Sequence, residues 1–214
     1  MAKIIPAILE SDKERFADKV YQLSRISGVD TIQVDFCDGK FVDTLTIPPK
    51  DLDVLNPAFT WEAHIMANHP TEFLEYKMLG FSKIIVHYES FATEPELEEA
   101  LLAITDLGLT PAIAINPETE VSVLRYHTDT IKHFTLLSVH PGRQGAQFLP
   151  DSPTRLFTLR NLAPNAILEV DGGVNLENAG LLSKTGADQL AVGSALFVGD
   201  RLQENYDALN AASK

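Results

Sequence analysis

Residues 31–39 read TIQVDFCDG, an apolar run that Gln33 and Asp35 interrupt. Alternate residues of a β-strand point to the same face, so these two polar side chains share one side of the strand. A buried carboxylate is costly unless it is paired, hydrogen-bonded or bound to a metal. The run therefore predicts a buried strand, Thr31–Phe36, with one face that carries chemistry.

Similar runs rich in Ile, Val and Leu recur roughly every 25 residues, a spacing that leaves room for a helix between each pair. Most are continuously apolar, as in parallel strands that are buried on both faces. Alternating strands and helices imply a parallel sheet. The predicted strands are Lys3–Leu9, Thr31–Phe36, Trp61–Met66, Lys83–His87, Thr110–Ile115, Phe134–Val139, Ala166–Val170 and Gln189–Val192.

Eight such units predict an α/β fold, a (β/α)8 TIM barrel formed by a single domain over residues 1–214; a doubly wound open sheet is the alternative. The segments between the strands have helical period. Thr93–Glu96 has the pattern of a capping box before a helix that Gly108 closes. Asn175 is expected to cap a helix that ends at Gly186.

The composition excludes several classes of function. The net charge of −13 argues against non-specific binding of nucleic acid, which needs a basic surface. No apolar run reaches the ~20 residues of a membrane span, and the N-terminus is a poor secretory signal, so we expect a cytoplasmic protein. The single cysteine, Cys37, excludes an internal disulfide and a cysteine-based zinc cluster.

Polar side chains concentrate where the predicted strands end. In a (β/α)8 barrel the chemistry belongs at the carboxyl ends of the strands. Any one polar residue there is also explained by the loop that begins beside it. Asp35, His64 and Asp171 together favour a site, because three side chains of the ligand type would converge at one barrel mouth. The polar residues at these ends are Gln33, Asp35, His64, His87, His140 and Asp171.

Glycine-rich segments follow the last three predicted strands. They read HPGRQGAQF at 140–148, DGGVN at 171–175 and VGSALF at 192–197. Turns of this kind, with a helix N-terminus after Gly193-Ser194, form the usual phosphate site of such barrels. Because the overall negative charge repels an anion, a phosphorylated ligand would need such a local device.

The sequence resembles the ribulose-phosphate 3-epimerase family over nearly its whole length. The matching segments are IIPAIL at 4–9, QVDFCDGKFV at 33–42, EAHIM at 62–66, VHYES at 86–90, AINP at 114–117, SVHPGRQGAQF at 138–148, and the later EVDGGVNLENA and AVGSALF. The resemblance implies an isomerase of the pentose phosphate pathway that interconverts ribulose 5-phosphate and xylulose 5-phosphate through an enediolate.

The resemblance also implies roles for individual residues. Asp35 and Asp171 match the family's acid/base pair, and both would join His64 in holding a divalent metal, Zn²⁺, Mn²⁺ or Fe²⁺. The substrate would be a phosphorylated ketose, and the family suggests a homo-oligomer. Residues that match substrate and phosphate contacts are His64, Met66, Gly142, Gly145, Gly172, Gly173, Gly193 and Ser194.

The sequence departs from the family at a ligand position, where Gln33 replaces a histidine. The amide oxygen of Gln33 could be a fourth metal ligand, and a carbonyl oxygen suits Mg²⁺ or Mn²⁺ better than Zn²⁺. Alternatively, Gln33 donates a hydrogen bond to the substrate or to Asp35, with no metal present.

Other departures surround the expected sugar: Ala7, Cys37, Leu137, His140 and the loop Gly142-Arg143-Gln144-Gly145. Arg143 could contact phosphate or point to solvent, and Cys37 is interpreted as a small core residue rather than a nucleophile. Two alternative functions follow from these departures. One is a 3-epimerase of another ketose phosphate, such as allulose 6-phosphate; the other is a sugar-phosphate-binding barrel without epimerase activity.

Overall fold

A computed structural model of the chain describes residues 1–142 and 145–214 and has eight parallel strands. The strands follow one another in chain order around a closed barrel, β1-β2-β3-β4-β5-β6-β7-β8. Their bounds are β1 Lys3–Ile8, β2 Thr31–Cys37, β3 Thr60–Met66, β4 Lys83–His87, β5 Thr110–Ile115, β6 His133–Leu137, β7 Ile167–Asp171 and β8 Gln189–Val192. The predicted (β/α)8 fold is confirmed, and the doubly wound open sheet is excluded.

The strand bounds differ from the predicted ones by two residues at most. β4, β5 and β8 agree at both ends, whereas β2 and β7 each run one residue further, to Cys37 and Asp171. In β7 the added residue is polar and pairs with both neighbours, Leu137 of β6 and Ala191 of β8. Hydrophobicity alone places the end of a strand too early where its last residue is polar.

The helices are fewer than the strands in the described part of the chain. The α-helices are α1 Lys13–Ser24, α2 Phe73–Leu79, α3 Glu94–Asp106, α4 Ser152–Leu162, α5 Ala179–Thr185 and α6 Leu202–Ala212. Short 3-10 helices, Pro49–Asp51, Tyr88–Ser90 and Val121–Tyr126, lie in other connections. The connection between β2 and β3 thus has only a single 3-10 turn.

The helix caps correct the predictions in detail. Thr93 is the N-cap of α3, but its side chain makes no capping hydrogen bond; instead the Glu96 carboxylate accepts one from the Ala92 N–H, at 2.9 Å. α5 begins later than predicted, with Asn178 as its N-cap residue. The Asn175 side chain accepts from the Glu177 N–H at 2.8 Å and so stabilises the turn before α5. The capping patterns therefore marked real turns but not the hydrogen bonds within them.

The described residues form two compact units, Ala7–Ala112 and a second that joins Met1–Pro6 to Ile113–Lys214. In the first unit, Phe36 packs edge-on against Tyr76 of α2, with ring centroids 5.0 Å apart. In the second, Leu156 and Leu159 of α4 are fully buried. The prediction that residues 1–214 form one domain stays a prediction.

Polar pairs also lie along the strands, away from their carboxyl ends. Lys83 and Glu62 form a buried ion pair with 2.6 Å between Nζ and Oε1. In the second unit, the Thr135 hydroxyl donates to the Glu169 carboxylate at 3.0 Å. In each pair the Oε1 atom of the buried carboxylate has a partner, which offsets part of the cost of burying the charge.

Within residues 1–142 and 145–214, no helix combines the length and the apolar character that crossing a membrane requires.

Candidate active site

Gln33 and Asp35, the polar residues that share one face of β2, are hydrogen-bonded to each other. Gln33 is fully buried on β2, and its side-chain Nε2 donates to Asp35 Oδ1 at 2.9 Å. Of the alternatives that the sequence left open, the structure has the hydrogen bond from Gln33 to Asp35. This bond orients the carboxylate, which is also buried.

A line of polar contacts extends from Asp35 across β3 to β4. His64 is the direct neighbour of Asp35 in the sheet, and its Nδ1 lies 3.0 Å from Asp35 Oδ1. The other ring nitrogen, Nε2, lies 2.9 Å from Nε2 of His87, the last residue of β4. His87 Nδ1 in turn lies 3.3 Å from the Glu89 carboxylate.

These three contacts in series need three protons, because each joins two atoms that can otherwise only accept. Two neutral imidazoles carry two protons between them. The line therefore lacks one proton when both histidines are neutral.

The loop after β2 is held by Asp38. Its carboxylate accepts from the backbone N–H groups of Lys40 and Phe41, each at 2.8 Å, and of Asn68 at 2.9 Å. Partial burial acts to raise the pKa of Asp38, but these donors outweigh it and lower the pKa below its usual range. The loop carries Phe41, whose ring lies against His87 with centroids 4.8 Å apart.

In the second unit, Asp171 ends β7 and is followed by two glycines in left-handed conformations. Gly172 has φ +104°, and a Cβ there would lie 2.3 Å from a Val139 methyl, so only glycine fits. Gly173 has φ +63°, and its carbonyl accepts from the Asn178 side chain at 3.0 Å. These two features fix the conformation of the backbone after Asp171.

Asp35, His64 and Asp171 each offer a ligand atom, all within 4.8 Å of one another, and all three side chains are buried. Two ligands of one ion at ~2.1 Å are at most ~4.2 Å apart, so this spacing is close to that of a metal site. Two carboxylates and an imidazole suit Zn²⁺, Mn²⁺ and Fe²⁺.

The other glycines that are predicted to bind phosphate lie in turns after β6 and β8. Gly142 and Gly145 both have positive φ, at 96° and 70°. Gly193-Ser194 follows β8, but the predicted helix N-terminus there is wrong: consecutive turns fill residues 194–197, and α6 begins only at Leu202. Any phosphate contact at Gly193 would therefore use turn N–H groups and not a helix terminus.

Three further residues of the expected substrate region are placed as follows. Met66 is buried at the end of β3. His140 is exposed, and its Nδ1 lies 2.7 Å from the Glu118 carboxylate. Arg143, for which a phosphate contact or a solvent position was open, lies outside the described residues.

Cys37 has the character of a core residue. Burial, together with the charges of Asp35 and Asp38, raises the pKa of its thiol to about 12. The thiol therefore stays protonated at neutral pH, and a protonated thiol is a poor nucleophile.

Sequence reasoning missed Glu89, Asp38 and Phe41. Glu89 was visible as a carboxylate two residues after a histidine at a strand end, in VHYES at 86–90. Its contact with His87 Nδ1 depends on the orientation of the imidazole ring, which the spacing of the residues does not show.

Comparison with known proteins places these residues in a family. Residues 3–197 match the model of the ribulose-phosphate 3-epimerase family. A ribulose-phosphate 3-epimerase from Synechocystis sp. is 31% identical over an alignment of 201 residues, and this alignment covers 91% of this chain and 86% of that protein. One from Bacillus subtilis is 28% identical and covers 92% of this chain and 93% of its own length.

Solved structures of other enzymes share the fold. A 3-keto-L-gulonate-6-phosphate decarboxylase from Vibrio cholerae has a TM-score of 0.73 at 17% identity, covering 99% of this chain and 97% of that chain. A 3-hexulose-6-phosphate synthase has a TM-score of 0.70, also at 17% identity, covering 99% and 100%. At this identity the likeness shows the fold alone.

Proposed function

The chain belongs to the ribulose-phosphate 3-epimerase family, a family of isomerases, and on that premise we propose that it interconverts ribulose 5-phosphate and xylulose 5-phosphate. The observation that carries the proposal is the grouping of Asp35, His64 and Asp171, all buried, within 4.8 Å of one another. A site that only bound a sugar phosphate would have no need to bury two acids.

The proposed reaction uses the two aspartates as acid and base. One carboxylate removes the proton from carbon 3, which gives an enediolate, and the other carboxyl group returns a proton to the opposite face. This division requires one aspartate to be charged while the other is protonated. The hydrogen bond from Gln33 to Asp35 keeps that carboxylate in a fixed orientation.

Asp35, His64 and Asp171 would hold the divalent metal, which would stabilise negative charge on the oxygens of the substrate. His64 would use Nδ1, because Nε2 is engaged with His87. Met66, at the end of β3, would supply an apolar surface against the reacting carbons.

Solvent isotope incorporation tests this function directly. Incubated with ribulose 5-phosphate in D₂O, the purified protein should yield xylulose 5-phosphate with deuterium at carbon 3, because the proton is delivered from a group that exchanges with solvent. Nuclear magnetic resonance of the product measures both conversion and isotope content. Conversion without deuterium at carbon 3 would contradict the two-aspartate mechanism, and no conversion would contradict the activity.

A second substrate is favoured by the departures near the sugar, above all Ala7 and His140. Allulose 6-phosphate, a ketose phosphate one carbon longer, should then be epimerised faster than ribulose 5-phosphate. The ratio of kcat/KM for the two substrates decides between them. No turnover of either would favour the third reading, a binding barrel without epimerase activity.

Phosphate capture is proposed for Gly142, Gly145, Gly172, Gly173, Gly193 and Ser194, whose segments offer backbone N–H groups. Gly193→Asp should abolish the binding of inorganic phosphate in calorimetry, because it adds bulk and a like charge. Gly193→Ala separates crowding from charge, and Phe157→Asp adds the same charge on the exposed face of α4 as a control. Unchanged phosphate binding in Gly193→Asp would place the anion elsewhere.

The cytoplasmic location and the homo-oligomeric state expected from the sequence stay predictions.

A further inference from the structure

We propose that the Ser138 hydroxyl couples two parts of the site that follow β7, the Asp171 carboxylate and the Gly173 N–H. Ser138 is then a positioning residue, which acts on the reaction through Asp171 and on phosphate binding through Gly173. The effect on turnover rests on the proposed function; the restraint on the backbone of Gly172 and Gly173 does not.

Ser138 directly follows β6 and is itself held in place. It is fully buried. Its N–H donates to the Asp171 carbonyl at 2.8 Å, and its own carbonyl accepts from the Leu149 N–H, also at 2.8 Å. The side chain of Ser138 therefore extends from a backbone that is fixed on both sides.

The Ser138 hydroxyl bridges two successive carbonyl groups. Its Oγ lies 2.5 Å from the Gly172 carbonyl oxygen and 3.0 Å from that of Asp171. A carbonyl oxygen can only accept, so the hydroxyl is the donor in both contacts. These carbonyls belong to the peptide units on either side of the Gly172 α-carbon, and one hydroxyl thus orients both units.

Such a restraint matters because two glycines follow Asp171 directly. Glycine loses more conformational freedom on folding than any other residue, so this segment is costly to hold still. Val139 fills the space beside Gly172, where a Cβ would lie 2.3 Å from a methyl group. That contact fixes the position of the α-carbon, whereas the hydrogen bond from Ser138, which is directional, fixes where the Gly172 carbonyl points.

The same hydrogen bond determines the direction of the Gly173 N–H. In a planar trans peptide the C=O and the N–H point in opposite directions. With the Gly172 carbonyl on Ser138, the N–H of Gly173 points away from Ser138. Among residues 1–142 and 145–214 this N–H has no acceptor, so it can bind an anion.

The first test measures backbone order in the ligand-free protein with ¹⁵N-labelled glycine. In the parent, the amides of Gly172 and Gly173 should have the nuclear magnetic resonance order parameter of a rigid backbone, about 0.85. In Ser138→Ala it should fall towards about 0.6, the upper limit for a flexible backbone. Ser138→Thr keeps the hydroxyl and should restore the order. Equal order parameters in the parent and Ser138→Ala would overturn the proposal.

The second test compares kcat and KM for ribulose 5-phosphate with the affinity for inorganic phosphate in calorimetry. In Ser138→Ala, kcat/KM should fall about 10- to 100-fold, because a carboxylate that is no longer held is easily misplaced. Phosphate should also bind more weakly, since the Gly173 N–H loses its fixed direction. A residue that only stabilised the fold would leave these constants of the folded protein unchanged. Unchanged kcat or unchanged phosphate affinity in Ser138→Ala would refute the coupling.

Ser213→Ala is the matched control. The Ser213 hydroxyl is equally buried and also contacts two backbone carbonyls, those of Ala2 at 2.9 Å and Asn210 at 3.1 Å. Ala2 precedes β1, so this serine lies at the amino ends of the strands, away from the site. Thermal unfolding should show a loss of stability in both alanine variants, but Ser213→Ala should keep the turnover and phosphate affinity of the parent.

A parent without epimerase activity would contradict the proposed function alone. The glycine order parameters and the phosphate affinities of the variants would still decide the role of Ser138.

Discussion

Asp35→Asn should lower turnover by about 100- to 10,000-fold, and Asp171→Asn should do the same, because a carboxamide can neither accept nor return the proton at carbon 3. Each change also removes one carboxylate from the group of three ligand-type side chains. Asparagine has the shape of aspartate, so the fold should persist. The measurement is the steady-state rate with ribulose 5-phosphate, together with thermal unfolding.

Isotope exchange makes this prediction sharper. Each variant retains one of the two aspartates, so each should exchange the carbon 3 proton of only one epimer with D₂O, and the two variants should select opposite epimers. Asp188→Asn is the control: its carboxylate accepts from the Leu168 N–H at 2.8 Å and pairs with Arg160, so it affects stability and not turnover. Near-normal turnover in either site variant would refute the proposed roles.

The barrel was predictable from the sequence because its strands are buried on both faces and therefore read as separate apolar runs. The first and last residues of β4, β5 and β8 were predicted correctly. The hydrogen bonds that cap α3 were not predicted. The Glu96 carboxylate accepts from the Ala92 N–H, and this bond depends on the path of the loop before the helix. Packing against the rest of the protein determines the path of that loop, and the local sequence pattern carries no information about this packing.

The candidate site was predictable to the extent that it lies at strand ends. Position along the strand separated Asp35 and His64 from polar residues such as Glu62, which pairs with Lys83 inside the same unit. The line from His64 through His87 to Glu89 was not predictable, because it depends on which nitrogens of two rings meet across adjacent strands. Sequence spacing carries no information about ring orientation.

Gln33→His should raise the affinity for Co²⁺ or Mn²⁺ on the order of 100-fold. Even an outer partner of a metal ligand is worth 10- to 100-fold, so an added imidazole ligand should contribute at least as much. Gln33 is fully buried and in contact with Asp35, which places a side chain at this position beside the ligand group. Its neutral amide is a weaker ligand than imidazole, so the parent should purify with little metal.

Gln33→Leu separates the two roles that remain for this residue. If position 33 is a ligand position, metal affinity should fall in the order His, Gln, Leu, and turnover should follow it. If Gln33 serves only to hold Asp35, Gln33→His should bind metal no more tightly than the parent, while Gln33→Leu loses both metal affinity and turnover because the amide no longer orients the Asp35 carboxylate. Equal metal affinities of the parent and Gln33→His would therefore remove Gln33 from the ligand set and leave the hydrogen bond to Asp35 as its function.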